Sequence, residues 1–178
     1  GGKVISDAEE ATELIKSVVF TEFERREKIL TDARVANIAQ YNQKCTPKLA
    51  PMVVVIDEFA DLADQLETKK EKEAFFTPVK RIAQIGRKRG IHLVLCTQRP
   101  AATLVPSNIK SQISGRLALR VNDANSSRMI LEEGGAQYLQ KHGDMIYKNG
   151  AEIERAQGYF ISIDELDEIV EGIKQFNE

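Results

Sequence analysis

The chain has 178 residues, 42% of them hydrophobic and 29% charged, a length and balance that suit one soluble globular domain with a sizeable core. No apolar run approaches the roughly 18 residues that span a bilayer, and no signal peptide is visible. Trp is absent and aromatics make up only 6%, which argues against nucleic-acid binding dominated by base stacking. The two cysteines, Cys45 and Cys96, lack metal-type spacing and fit a reducing cytosol. The net charge of −2 conceals an asymmetry: between Lys80 and Arg128 ten basic residues face Asp123 alone, a local +9 that leaves −11 elsewhere. Such a division of sign suggests a polyanion contact on one face.

In chain order, Ser6 and Glu9 form a capping-box pattern that opens a long amphipathic helix running to about Leu30. Leu14, Val18, Val19, Phe23, Ile29 and Leu30 would line its apolar stripe. A short helix is expected over 32–41, and the two prolines of 44–51 mark a loop. Val53 to Ile56 reads as a strand buried on both faces. Glu67 to Arg89 has helical spacing closed by Gly90, with Pro78 implying a kink or a break just before it.

Ile91 to Cys96 is a second buried strand, with Cys96 expected to be a core thiol. A loop and a short helix near Ser107 precede a third strand, Arg116 to Val121. Gly143 to Tyr147 and Ile153 to Ile161 read as strands at the sheet margin. Ser162 and Glu165 cap a last helix ending near Phe176. Alternating strands and helices indicate an α/β fold with a mainly parallel sheet. The chain is expected to be one domain: a helical lead-in over 1–50, a sheet core over 51–161 and a terminal helix over 162–178.

The informative stretch is Pro51-Met-Val-Val-Val-Ile-Asp57-Glu58. In α/β proteins ligands lie beyond the carboxyl ends of the strands, so both carboxylates face a site. Adjacent strand side chains point opposite ways, which lets Asp57 and Glu58 do different jobs, one holding a Mg²⁺ shell and the other orienting a water. A helix cap is the plainer explanation of the same pair. The next strand ends in Thr97-Gln98-Arg99-Pro100, so neighbouring strands would bring Gln98 beside Glu58. The intervening helix carries Arg87, Lys88 and Arg89.

Val55-Ile-Asp-Glu-Phe-Ala-Asp-Leu62, Arg81-Ile-Ala-Gln84, Gly90-Ile-His-Leu-Val-Leu95, Thr97-Gln-Arg-Pro100, Gly134-Gly-Ala136 and Gly143-Asp-Met145 together closely resemble the FtsK/SpoIIIE family of DNA-pumping ATPases. Glu24-Arg-Arg26 and Tyr41-Asn42 match as well, and the similarity runs from about Val4 to Val170. The resemblance implies a RecA-like P-loop core that assembles as a hexameric ring around double-stranded DNA and hydrolyses ATP with Mg²⁺. By it, Asp57 would hold the Mg²⁺ waters, Glu58 would activate the attacking water, and Gln98 would sense the γ-phosphate. Arg87 would be an arginine finger reaching a neighbouring subunit. Arg99, Lys110 and Arg128 would contact DNA. A further basic position of the family pattern falls on Ala124, and Arg116 and Arg120 have a structural role as their alternative.

No Gly-x-x-x-x-Gly-Lys-Ser/Thr occurs in these residues, and Gly1-Gly-Lys-Val4 is a decoy. The family pattern puts the phosphate loop upstream of Gly1, so the core is expected to be incomplete at its N-terminal side and inactive alone. Asp164-Glu165 is a second decoy, read as a cap. The resemblance further implies a cytoplasmic location at the inner face of the membrane, through a segment outside this chain. Chromosome partition, a conjugative DNA pump, a protein-exporting ATPase and a non-enzymatic assembly domain are the competing roles.

Overall fold

The computed structural model describes residues 4–99 and 105–177, with side chains to 173; Pro100 and the Gly1–Lys3 decoy lie outside them. The described residues pack into two compact units, one of residues 5–113 and one from Ser114 onward.

In the first unit Asp7, rather than Ser6, caps the opening helix by accepting from the Glu10 N–H at 2.9 Å. That helix, α1 (Ala8–Ser17), passes through a π turn at Val18–Glu22 into α2 (Phe23–Asp32). Val18, Val19, Phe23 and Leu30 of the expected stripe are buried; Leu14 is turned outward, and Ile15 takes its place. Asn37 caps α3 (Ile38–Lys44), which therefore starts later than the periodicity suggested.

The strand β1 (Met52–Ile56) leads through Glu58 into α4 (Phe59–Gln65), a helix too short for its pattern to stand out. A reciprocal Thr68–Glu71 cap starts α5 (Lys69–Ile85). This helix runs through Pro78 without the break that was one expectation there: Phe75, Pro78, Val79 and Ile82 are all buried, and that packing outweighs one missing hydrogen bond. A single 3₁₀ turn, Arg87–Arg89, follows, and Gly90 reverses the chain at φ 67°. Gly86 is required there by proximity, because a Cβ would stand 2.5 Å from the Ile91 carbonyl oxygen.

β2 (Ile91–Leu95) pairs parallel with β1, Met52 opposite Ile91 and Ile56 opposite Leu95. Met52, Val54, Leu93 and Leu95 pack toward the core of Phe23, Phe59, Phe75, Val79 and Ile82. The opposite face is open: Val53 and Val55 are 59% and 61% exposed. Among the described residues the expectation of burial on both faces therefore fails, because helices pack against one side of this sheet. Cys96 is likewise exposed rather than in the core. The unit ends with α6 (Ser107–Lys110).

In the second unit β3 (Gly115–Leu119), β4 (Asp144–Asn149) and β5 (Glu152–Gln157) form an antiparallel sheet in that order. The third strand thus exists, but not in the parallel arrangement that helix–strand alternation suggested. Its partner is a hairpin, turned where Gly150 takes φ 63°. Asp123 caps α7 (Ala124–Leu131), whose Leu131 packs with Ala118, Ala136 and Leu139. Ser162 and Glu165 bond reciprocally at 2.8 and 3.2 Å, opening α8 (Ile163–Asn177) as the cap expected there.

Candidate functional site

Parallel pairing brings the carboxyl ends of β1 and β2 side by side. The Cys96 N–H donates to the Ile56 carbonyl at 2.9 Å, and the Phe59 N–H donates to the Cys96 carbonyl at 2.9 Å. The two chain exits are therefore stitched together just where Asp57, Glu58, Thr97 and Gln98 emerge. Asp57 is exposed and Glu58 half-buried.

Glu58 is held on both carboxylate oxygens. The Thr97 hydroxyl donates to Oε1 at 2.7 Å and the Gln98 N–H donates to Oε2 at 2.8 Å. The Ala60 N–H adds a 3.3 Å contact to Oε1, so Glu58 also caps α4. The cap is thus physically present, beside donors from the end of the neighbouring strand. Burial pushes the Glu58 carboxyl up, but the donors Thr97, Gln98 and Ala60 and the charge of Arg99 outweigh it and leave it below the usual range. The Cys96 thiol moves the other way, raised by partial burial and by the charges of Asp57 and Glu58.

Gln98 comes beside Glu58, although the observed contact is through its backbone, and the residue is exposed. Arg99 projects onto α4, donating to Asp61 Oδ1 at 2.5 Å and lying 3.0 Å from Asp64 Oδ2. Sequence reasoning assigned no role to Thr97, Asp61 or Asp64. The i, i+3 spacing of the two aspartates was a usable signal, since it puts them on one helix face.

Arg87 is not part of this cluster. It is exposed in the turn that enters β2, at the amino end of the sheet, while Glu58 lies at the carboxyl end. Five strand residues, about 16 Å, separate the two ends. Arg87 is therefore not placed to serve the Glu58 of its own chain. Lys110 closes α6 and is half-buried. Arg128 lies exposed on α7 of the second unit, 3.4 Å from Asn125 Oδ1, and Ala124 opens the same helix. Arg116 pairs with Glu132 at 2.9 Å, a structural engagement.

Among the described residues no group of three His, Cys, Asp or Glu side chains could cage a metal, and no helix is long and apolar enough to cross a membrane. Two shallow cavities, of about 450 Å³ beside Phe23 and Arg81 and about 530 Å³ beside Phe76 and Lys80, border neither Asp57 nor Glu58.

The model of the FtsK/SpoIIIE family matches residues 1–102 of this chain. The chain belongs to the FtsK/SpoIIIE family. Within it, the chain is 36% identical over 175 residues to DNA translocase FtsK of Chlorobaculum tepidum, covering 97% of this chain and 21% of the relative. Against DNA translocase FtsK of Pseudomonas aeruginosa it is 36% identical over 200 residues, covering 96% and 24% respectively. This FtsK/SpoIIIE member thus spans less than a quarter of the length of these two relatives.

Among solved structures, the conjugation coupling protein TcpA of pCW3, in a monomer form with ATPγS, superposes with a TM-score of 0.83 at 28% identity. The match covers 96% of this chain and 50% of TcpA. The cytoplasmic domain of the type VII secretion ATPase EccC from Thermomonospora curvata gives a TM-score of 0.72 at 24% identity over 90% of this chain and 19% of its own, a likeness of fold alone. The fold is the mixed α/β arrangement of P-loop ATPase domains, with a parallel sheet and helices packed against it.

Proposed function

We propose that this chain is the C-terminal part of an ATP-driven motor for double-stranded DNA, acting as a hexameric ring in chromosome partition at the inner face of the membrane. The observation that supports this most is the Glu58 carboxylate, half-buried at the tip of β1 and ordered by donors from the tip of the adjacent strand. An ionised carboxylate standing at the junction of two strand tips is a group able to accept a proton from water.

In this reading Glu58 takes the proton of the water that attacks the γ-phosphate, and Gln98, exposed beside it, hydrogen-bonds that phosphate or water. Asp57 would hold Mg²⁺ through coordinated water. A single exposed carboxylate fits an ion that keeps several waters and takes its other ligands from phosphates. When bound, the ion neutralises charge developing on the phosphates. Arg87, at the far end of the sheet, is assigned to the nucleotide of a neighbouring copy. Arg99, Lys110 and Arg128 supply phosphate contacts that tolerate any base sequence. These 178 residues contain no Gly-x-x-x-x-Gly-Lys-Ser/Thr, and in this reading the chain alone hydrolyses ATP negligibly.

The superposition on TcpA favours a second reading, a conjugative DNA pump built on the same core. A protein-exporting ATPase is disfavoured by the local +9 charge of 80–128.

The test is ATP turnover by the intact protein with and without duplex DNA. DNA stimulation that salt abolishes steeply supports a DNA motor; hydrolysis indifferent to DNA turns the reading toward protein export. Glu58→Gln should stop turnover and spare ATP binding. Wild-type turnover by that variant would sink the assignment.

A further inference from the structure

We propose that Thr97 is a positioning residue that links Arg99 to the orientation of Glu58, holding the carboxylate back until a phosphate draws Arg99 away. The inference rests on the proposed role of Glu58.

The geometry centres on one hydroxyl. Thr97 Oγ1 gives its proton to Glu58 Oε1 at 2.7 Å and accepts the Arg99 N–H at 3.1 Å. The next backbone N–H, from Gln98, occupies Oε2 at 2.8 Å. Oε1 thus takes two donors, Thr97 and Ala60, and Oε2 takes one, which leaves Oε2 a lone pair for water. Each donor fixes the carboxylate and weakens it as a base, and the Thr97 hydroxyl is the one that can leave by simple rotation. What keeps that hydroxyl in place is the Arg99 N–H, fixed in turn by the Arg99 side chain.

That side chain is anchored reversibly. Its guanidinium meets Asp61 and Asp64 at 2.5 and 3.0 Å, with all three side chains at least half exposed. Exposed pairs of this kind contribute little to stability and exchange partners readily. A phosphodiester presents the same planar pair of anionic oxygens to a guanidinium. Arg99 thus has two alternative partners, the α4 carboxylates and a DNA phosphate. Moving from one to the other displaces the backbone that holds Thr97. Arg99, two positions from Thr97, becomes the sensor for DNA.

The test uses the intact protein and compares kcat and KM for ATP, with and without duplex DNA, across four forms. Loss of one hydrogen bond to a charged group corresponds to about tenfold between held and free states. Thr97→Val should raise DNA-free kcat by up to that factor, shrink the DNA stimulation ratio accordingly and leave KM for ATP unchanged. Thr97→Ser, which restores the hydroxyl, should return both to wild type. Asp61→Asn combined with Asp64→Asn frees Arg99 without touching Thr97 and should also raise DNA-free kcat. An unchanged stimulation ratio in Thr97→Val, or a matched fall in basal and stimulated kcat that Ser does not reverse, overturns the proposal. So does a double aspartate variant with wild-type basal rate. If Glu58→Gln stays active, the failure lies instead in the role given to Glu58.

Discussion

Arg26 donates to the carbonyl of Arg89 at 2.7 Å, across 63 residues of sequence. The same buried guanidinium reaches the Ala50 carbonyl at 3.0 Å and Glu22 Oε1 at 2.5 Å. One side chain from α2 therefore pins the entries of both parallel strands, and with them the turn that displays Arg87. Replacing Arg26 with Met would leave Glu22 and two carbonyls short of a donor, at a cost of about 3 kcal/mol. The urea midpoint of the chain should fall accordingly, and a midpoint unmoved by Arg26→Met would show that solvent replaces this strut.

Gly86 sits where no side chain fits. A Cβ there would lie 2.5 Å from the Ile91 carbonyl oxygen and 2.6 Å from that of Ile82, both backbone atoms that cannot swing aside. Gly86→Ala should destabilise by about 1–3 kcal/mol, as overpacked cores do. Thermal melting measures it. A variant as stable as wild type would mean that β2 entry is looser than its geometry indicates.

Acid should loosen each unit in its own window. Hydrogen bonding to Arg25, opposed by burial and aided by Arg26, holds the Glu22 carboxyl at about 2 rather than 4.5. The hydrogen bond from Arg155, with the Gln140 N–H, holds Asp144 at about 2 rather than 3.8. Each folded carboxylate releases its proton more readily than the unfolded one. Its stabilisation is whole above the ordinary value and is lost as pH falls toward 2. Glu22→Gln should therefore flatten the fall in urea midpoint between pH 4.5 and 2, and an equally steep fall in the variant would assign the acid sensitivity elsewhere.

Salt dependence measures the phosphate contacts. For the intact protein on duplex DNA, Lys110→Ala and Arg128→Ala should each lower the slope of log K against log salt by about 0.9. Lys88→Ala, on the turn entering β2, is the internal comparison and should leave the slope alone. Equal effects of all three would mean that the basic segment acts by bulk charge rather than by placed contacts.

Much of the site was visible in local chemistry. The apolar run ending in Asp57 and Glu58 announced a strand tip, and Thr97-Gln98 announced its neighbour; parallel pairing joined them as expected. The Ser162–Glu165 cap was equally local and appeared as expected. Pro78 did not mark a helix break, because a break is decided by how much apolar surface the unbroken helix buries. Periodicity cannot measure that.

The amino-acid order alone determined which residues stand at strand ends, because a run of β-branched residues and the carboxylates that stop it are contiguous in the chain. It also determined the basic bias of 80–128, a property of composition. Only the tertiary structure decided that Thr97 grips Glu58, that Arg99 leans on Asp61 and Asp64, and that β3 joins a hairpin rather than the parallel pair. Those outcomes depend on register and on which faces are covered, and register is set by hydrogen bonds between segments some 40 residues apart.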